Sequence, residues 1–164
     1  MTDSTNDILI IGYGNPGRQD DGLGPALAEA IDQLNLPNVT VDSDYQLTVE
    51  HAEMAAHYAV VIFADATQDN QEPFSCTRIE PGPPALRFTS HHLTPQDVLA
   101  LTRDLFAAQP TAYLLAIRGH RFGELELGLS PTAQAALEGA VDFLTTKILD
   151  NTKDLSSQLI THCS

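Results

Sequence analysis

Three short stretches of the sequence carry residues that could bind a cation or move a proton. The first, Gly12–Gly22, follows the apolar run Ile8–Ile11 and contains several glycines and two adjacent aspartates. The second is Asp65, which directly follows another apolar run, and the third is the pair His91-His92. Carboxylate and imidazole groups together form a ligand set suited to a borderline divalent metal such as nickel or zinc.

Each of these residues also has a simpler interpretation. Asp20 or Asp21 could cap a helix, Asp65 could close a turn, and the histidines could lie in a solvated loop. All three stretches are expected at the carboxyl ends of strands. This position favours a binding site, because open parallel sheets bind their ligands at those ends. Three protein ligands would leave room on a metal for water or substrate. The residues alone leave open which aspartate of the pair and which histidine would take part.

The glycine-rich segment also matches a dinucleotide-binding fingerprint, GxGxxG, at Gly12, Gly14 and Gly17. Two features weaken this alternative. Pro16 removes one backbone amide from the turn that should wrap a pyrophosphate. The adjacent aspartates would also place negative charge at the helix N-terminus, where the phosphates should bind.

Apolar strands alternate with amphipathic helices along the chain, which predicts an α/β fold. The expected strands are Ile8–Ile11, Val39–Val41, Ala59–Ala64, Cys76–Glu80 and Thr111–Ile117, with a short edge strand at Leu125–Leu127. Helices are expected from Leu23, from Leu47 to Tyr58, after Thr94 and from Pro131. The pattern predicts one three-layer αβα domain over residues 1–150, with a mostly parallel twisted sheet of about five strands. Residues 151–164 are predicted to be a polar tail.

The composition excludes several classes of partner. The chain has 164 residues, of which 43% are hydrophobic, and 22 acidic against 8 basic residues give a formal charge of −14. Such a charge disfavours nucleic acid and anionic membranes as partners, because both would be repelled. Cys76 and Cys163 form no metal or disulfide motif. With no signal-like or membrane-length apolar run, we expect a soluble cytoplasmic protein.

The order of these motifs resembles the endopeptidases that mature [NiFe]-hydrogenase large subunits. The resemblance covers nearly the whole chain and rests on Ile8-Leu-Ile-Ile-Gly-Tyr-Gly-Asn15, Asp20-Asp-Gly-Leu-Gly24, Val61-Ile-Phe-Ala-Asp65-Ala66, Ser90-His91 with Leu99, and Leu125-Glu-Leu-Gly-Leu-Ser-Pro131. The sequence departs from the commonest pattern at Pro16-Gly17-Arg18. There it is similar to the subgroup that serves soluble, bidirectional NAD(P)-linked hydrogenases.

The resemblance implies a metal-dependent, aspartyl-type endopeptidase. It implies that Asp21, Asp65 and His91 contact the metal and are the catalytic residues, with His92 as the alternative to His91. The loop positions implied to shape the site are Gly12, Gly14, Asn15, Asp20 and Gly22. The partner would be a large-subunit precursor that carries nickel and loses a C-terminal extension, with no organic cofactor. A non-catalytic nickel-binding maturation factor is the remaining alternative.

Overall fold

A computed structural model describes residues 7–84, 93–123 and 126–150 of the chain. The described strands are β1 (Ile8–Tyr13), β2 (Val39–Asp44), β3 (Val60–Thr67), β4 (Phe74–Ile79) and β5 (Thr111–Arg118). The described helices are α1 (Leu23–Asp32), α2 (Val49–Ala55), α3 (Pro95–Phe106) and α4 (Pro131–Asp150). A short 3₁₀ turn at Gln19–Gly22 leads directly into α1. None of the helices described is long and apolar enough to cross a membrane.

The five strands form one sheet in the order β2-β1-β3-β5-β4. Strands β1, β2, β3 and β5 run parallel, whereas β4 pairs antiparallel with β5 at one edge. A short loop, residues 68–73, follows β3, and β4 then runs back along the outer edge of β5. The predicted α/β fold with a mostly parallel sheet of about five strands is confirmed.

Helices cover both faces of the sheet. Helices α1 and α4 pack on the face that includes Ile8 and Ile10, and α2 and α3 pack on the face that includes Leu9 and Ile11. Successive strand residues point to opposite faces, so a central strand covered on both sides must be apolar throughout. This explains why the central strands appear in the sequence as continuous apolar runs.

The starts of two helices agree with the local signals. The Thr94 hydroxyl accepts a hydrogen bond from the Asp97 amide at 3.1 Å, and Pro95 occupies the first turn of α3. Helix α4 begins at Pro131, as expected. Helix α2 is shorter than predicted. Of the expected edge strand Leu125–Leu127, Leu125 lies outside the described residues, and Glu126 forms an isolated bridge with Arg18.

Strands β1 and β3 extend beyond their apolar runs, which changes the location of two site residues. Gly12 belongs to β1 rather than to the following loop, and Asp65 lies within β3 rather than after it. A Cβ atom on Gly12 would lie 2.1 Å from the Gly24 carbonyl oxygen, so only glycine permits this approach of α1 to β1. Gly14 has a φ of +143°, and its Cβ would lie 2.1 Å from the Asp21 carbonyl oxygen. These glycines hold the start of α1 against the strand ends.

Candidate active site

The structure brings Asp21 and Asp65 to the same edge of the sheet. Asp65 lies near the carboxyl end of β3 and is half-buried, and Asp21 lies on the 3₁₀ turn that precedes α1. The two carboxylates are close enough that the charge of Asp21 raises the pKa of Asp65. Two acidic groups that are 44 positions apart in sequence therefore share one electrostatic environment.

Asp65 is held partly protonated near neutral pH. Burial raises the pKa of Asp65 from its ordinary value of 3.8 to about 6, and the nearby charge of Asp21 adds to the rise. Hydrogen bonds from the Tyr13 hydroxyl and from the Ala66 amide, at 2.8 Å, act in the opposite direction but are outweighed. A carboxyl group with a pKa near the working pH is suited to accept and return a proton.

Tyr13 is a site residue that the sequence analysis did not identify. Gly12 pairs with Ala64 in the parallel register, so the next residues, Tyr13 and Asp65, lie side by side on the same face. Burial and the adjacent Asp65 raise the pKa of Tyr13 well above its ordinary value, so the hydroxyl remains a hydrogen-bond donor. The sequence shows that Tyr13 directly follows the first apolar run and Gly12. The residue that Tyr13 contacts, however, depends on the pairing register between β1 and β3.

We expect Tyr13→Phe to raise the pKa of Asp65 above about 6. The substitution removes the hydrogen bond that favours the ionised carboxylate and leaves the burial of Asp65 in place. Carbon-13 NMR titration of the Asp65 carboxyl group in the purified protein measures the change. Tyr45→Phe is the matched control, because Tyr45 is 71% exposed. An unchanged or lowered pKa of Asp65 in Tyr13→Phe would contradict the assigned contact.

Hydrogen bonds inside the glycine-rich loop orient Asp21. The Asn15 amide donates to Asp21 Oδ2 at 2.9 Å, and the Gly17 amide donates to Asn15 Oδ1 at 2.9 Å. Gly22 packs closely against Pro16, where an added Cβ would lie 2.8 Å from the proline Cα atom. The Asn15 amide therefore orients one oxygen of the Asp21 carboxylate, and the supporting role of Asn15 in the site stays a prediction.

The same hydrogen bonds argue against a bound dinucleotide. Between Gly14 and Asp21, every backbone amide already donates within the protein, and Pro16 has none to donate. A pyrophosphate site requires such amides to point at the ligand. Asp20 and Asp21 also supply negative charge at the start of α1. The loop therefore lacks the free donors that the fingerprint predicts.

Asp20 is bound by the protein itself far more extensively than the adjacent Asp21. Its side chain is fully buried and accepts hydrogen bonds from the amides of His120, Arg121 and Ser130 and from the Ser130 hydroxyl, at 2.7–2.9 Å. Burial by itself raises the pKa of Asp20, but these hydrogen bonds outweigh it and hold the pKa below its ordinary value. Asp20 fixes the loop after β5 and the start of α4 to the turn that carries Asp21.

The third predicted ligand lies outside the described residues, as does its alternative: these are His91 and His92. Within residues 7–84, 93–123 and 126–150, there is no group of three side chains that could hold a metal ion. Asp21 and Asp65 are thus the two predicted ligands that the structure brings together. Their chemistry fits a cation, because neither carboxylate takes part in an ion pair within the described residues.

A histidine–carboxylate contact outside the candidate site lies near the end of β2. His51 is buried, and its Nδ1 atom accepts a hydrogen bond from the Thr48 amide at 2.9 Å. The Nε2 atom therefore carries the proton and donates to Asp42 Oδ2 at 3.0 Å. Both ring nitrogens are engaged, so His51 stabilises the start of α2 and orients Asp42.

The described fold and site define an α/β protein with an acidic site at the carboxyl edge of its sheet. Solved structures of hydrogenase maturation proteases have the same fold. HycI from Thermococcus kodakarensis KOD1, a [NiFe] hydrogenase maturation protease, superposes with a TM-score of 0.68 at 23% sequence identity, over 89% of this chain and 94% of that one. The hydrogenase maturating endopeptidase HybD from E. coli gives a TM-score of 0.64 at 23% identity, over 86% and 92% of the two chains.

A third structure extends this likeness to another archaeal protein. The hydrogenase 2 maturation peptidase from Thaumarchaeota archaeon SCGC_AB-539-E09 gives a TM-score of 0.61 at 23% identity, over 87% of this chain and 97% of that one. No family model and no curated protein matches the sequence. At these identities the likeness establishes the fold alone. The fold implied by the sequence motifs is thereby confirmed.

Proposed function

We propose that this chain is an endopeptidase that removes a C-terminal extension from the nickel-loaded precursor of a [NiFe]-hydrogenase large subunit. The observation that carries the proposal is the pair of carboxylates at the carboxyl edge, of which Asp65 has a pKa of about 6. The shared fold and the sequence motifs support the same activity. The cytoplasmic location expected from the sequence stays a prediction.

In the proposed complex, nickel belongs to the substrate and is held in part by cysteine thiolates of the precursor. Asp21, Asp65 and His91 would supply the contacts from this chain. The Asn15 amide keeps the Asp21 carboxylate oriented before the precursor arrives, so less ordering is required on binding. A precursor without nickel would lack this docking point, which would restrict cleavage to loaded molecules.

The chemical step needs a water molecule, a base and an acid. A water oxygen adds to the scissile carbonyl carbon, and one of its protons passes to an Asp65 carboxylate oxygen that does not contact the nickel. The C–N bond then breaks, and the protonated carboxyl group returns the proton to the leaving amine. The substrate's nickel would polarise the carbonyl oxygen or the water. Tyr13 and the Ala66 amide hold the Asp65 carboxyl group during this exchange.

We expect Asp21→Asn to reduce cleavage of nickel-loaded precursor by about 100-fold or more, since one of the two charges that engage the metal is lost. Mass spectrometry of the released C-terminal peptide, with nickel-loaded and nickel-free precursor, measures the effect. Asp142→Asn is the matched control, because Asp142 is exposed on α4. Full cleavage by Asp21→Asn would exclude a required carboxylate at that position.

The cleavage assay and a thermal-unfolding measurement together separate the alternatives. A non-catalytic nickel-binding factor would bind nickel-loaded precursor without releasing a peptide. A dinucleotide-binding protein would show a higher melting temperature in saturating NAD(H) or NADP(H). Peptide release that depends on nickel, together with an unchanged melting temperature, is the result expected for the endopeptidase.

A further inference from the structure

A long groove runs between α1 and the edge strand β2. It consists of three adjoining cavities of about 280, 560 and 160 Å³. The first and second cavities share Pro16, Pro25 and Ser43 in their walls, and the second and third share Asp32 and Val41. These shared residues place the three cavities end to end along the helix and the strand.

One end of the groove adjoins the loop whose Asn15 amide binds Asp21. Pro16 lies in its wall, and the preceding residue, Asn15, donates its amide hydrogen bond to Asp21. The other end reaches Leu36 and Val39, at the beginning of β2. A chain lying in the groove would therefore pass beside the loop that orients Asp21.

The walls of the groove combine apolar side chains with negative charge. Ala26, Val41 and Leu129 supply apolar surface in the central cavity, and Glu29 and Asp32 supply carboxylates. Among the residues that the structure describes, no lysine, arginine or histidine lines any of the three cavities. In the described part of the chain, neither Glu29 nor Asp32 takes part in an ion pair. The groove thus presents unpaired negative charge above an apolar surface.

Strand β2 provides a free backbone edge beside this groove. It is the outermost strand of the described sheet and pairs only with β1. Six residues of extended strand span roughly 20 Å. An extended peptide can add to such an edge through main-chain hydrogen bonds, while neighbouring pockets select its side chains. Tyr45, 71% exposed, adds apolar surface where β2 ends.

We propose that this groove binds an extended, basic segment of the protein substrate, close to the peptide bond that is cleaved. This inference rests on the proposed function. Apolar side chains of the segment would pack on Val41 and Leu129, and a lysine or arginine side chain would face Glu29 and Asp32. Because the carboxylates are exposed, the attraction should weaken as salt screens it.

The test uses charge reversal in the groove. The double variant Glu29→Lys/Asp32→Lys is compared with Glu53→Lys/Asp142→Lys, which changes the same number of exposed acids on α2 and α4, outside the groove. We expect the groove variant to raise the KM for nickel-loaded precursor by about tenfold, with the change in KM rather than in kcat. The control variant should keep the wild-type KM. Salt should raise the KM of wild type more than that of the groove variant.

An unchanged KM in the groove variant, or an equal rise in the control, would overturn the groove assignment while leaving the endopeptidase intact. If wild type itself releases no peptide, the proposed function fails, and the groove is then judged by binding alone. For that purpose, surface plasmon resonance compares the affinity of the same precursor for both double variants. Equal affinities would refute the groove, and weaker binding only by the groove variant would support it.

Discussion

Asp20→Asn is expected to lower the free energy of unfolding by about 3–5 kcal/mol. The Asp20 carboxylate accepts four hydrogen bonds within the buried junction between the 3₁₀ turn, the loop after β5 and the start of α4. An asparagine side chain would place its NH₂ group against backbone N–H donors, so at least one donor would lose its acceptor. Urea unfolding followed by circular dichroism at pH 7 measures the loss.

The pH dependence of this loss has a definite sign. The pKa of Asp20 is below its ordinary value of 3.8 in the folded protein, so its ionised form is favoured by folding. The stabilisation is complete above that ordinary value and disappears as pH falls through the lower folded-state pKa. The difference between wild type and Asp20→Asn should therefore shrink in strong acid. The exposed Asp142→Asn should stay within about 0.5 kcal/mol of wild type, and an equally mild Asp20→Asn would contradict the structural role.

Asp65→Asn is expected to have opposite effects on stability and on activity. At pH 8 it should raise the free energy of unfolding by about 2 kcal/mol, because it removes a partly buried charge that lies beside Asp21. It should also abolish peptide release from nickel-loaded precursor, because the proposed proton acceptor is lost. Thermal unfolding and the mass-spectrometric cleavage assay measure the two effects on the same preparation.

The sign again follows from the pKa. Asp65 titrates at about 6 in the folded protein against an ordinary value of 3.8, so its ionisation costs stability as pH rises from about 4 to above 6. The advantage of Asp65→Asn should be full at pH 8 and absent near pH 4. Asp69→Asn is a suitable control, since Asp69 is exposed shortly after β3. Lower stability of Asp65→Asn at pH 8 would contradict the assigned burial of charge.

Asp20→Asn and Asp21→Asn together would separate the roles of the two adjacent aspartates of the first motif. Asp20 is expected to affect folding because its oxygens are fully used by protein donors. Asp21 is expected to affect cleavage because it is only half-buried and accepts one described hydrogen bond, from Asn15. The same residue type at adjacent positions thus serves two purposes, and its surroundings determine which.

The order and type of the main elements followed from local signals in the sequence. Apolar runs identified the five strands, and Thr94 and Pro131 marked the starts of α3 and α4. Such signals suffice because propensity, capping and burial pattern act over a few neighbouring residues. The same signals predicted that Asp21 and Asp65 follow strands. Because the carboxyl ends of parallel strands lie at one edge of a sheet, both residues were expected at that edge.

Only the tertiary structure decided which side chains meet at that edge. Tyr13 contacts Asp65 because of the register between β1 and β3, and Asp20 binds Ser130, which is 110 positions away. The antiparallel direction of β4 and the groove beside β2 also arise from packing between distant segments.

No local pattern encodes these contacts, because hydrogen-bond partners and strand register depend on how the whole sheet assembles. The sequence by itself was enough to predict the layers of the fold and the acidic residues of the candidate site. Folding determined which of those acids is used by the protein itself and which stays free for a partner, since that depends on how many donors surround each carboxylate.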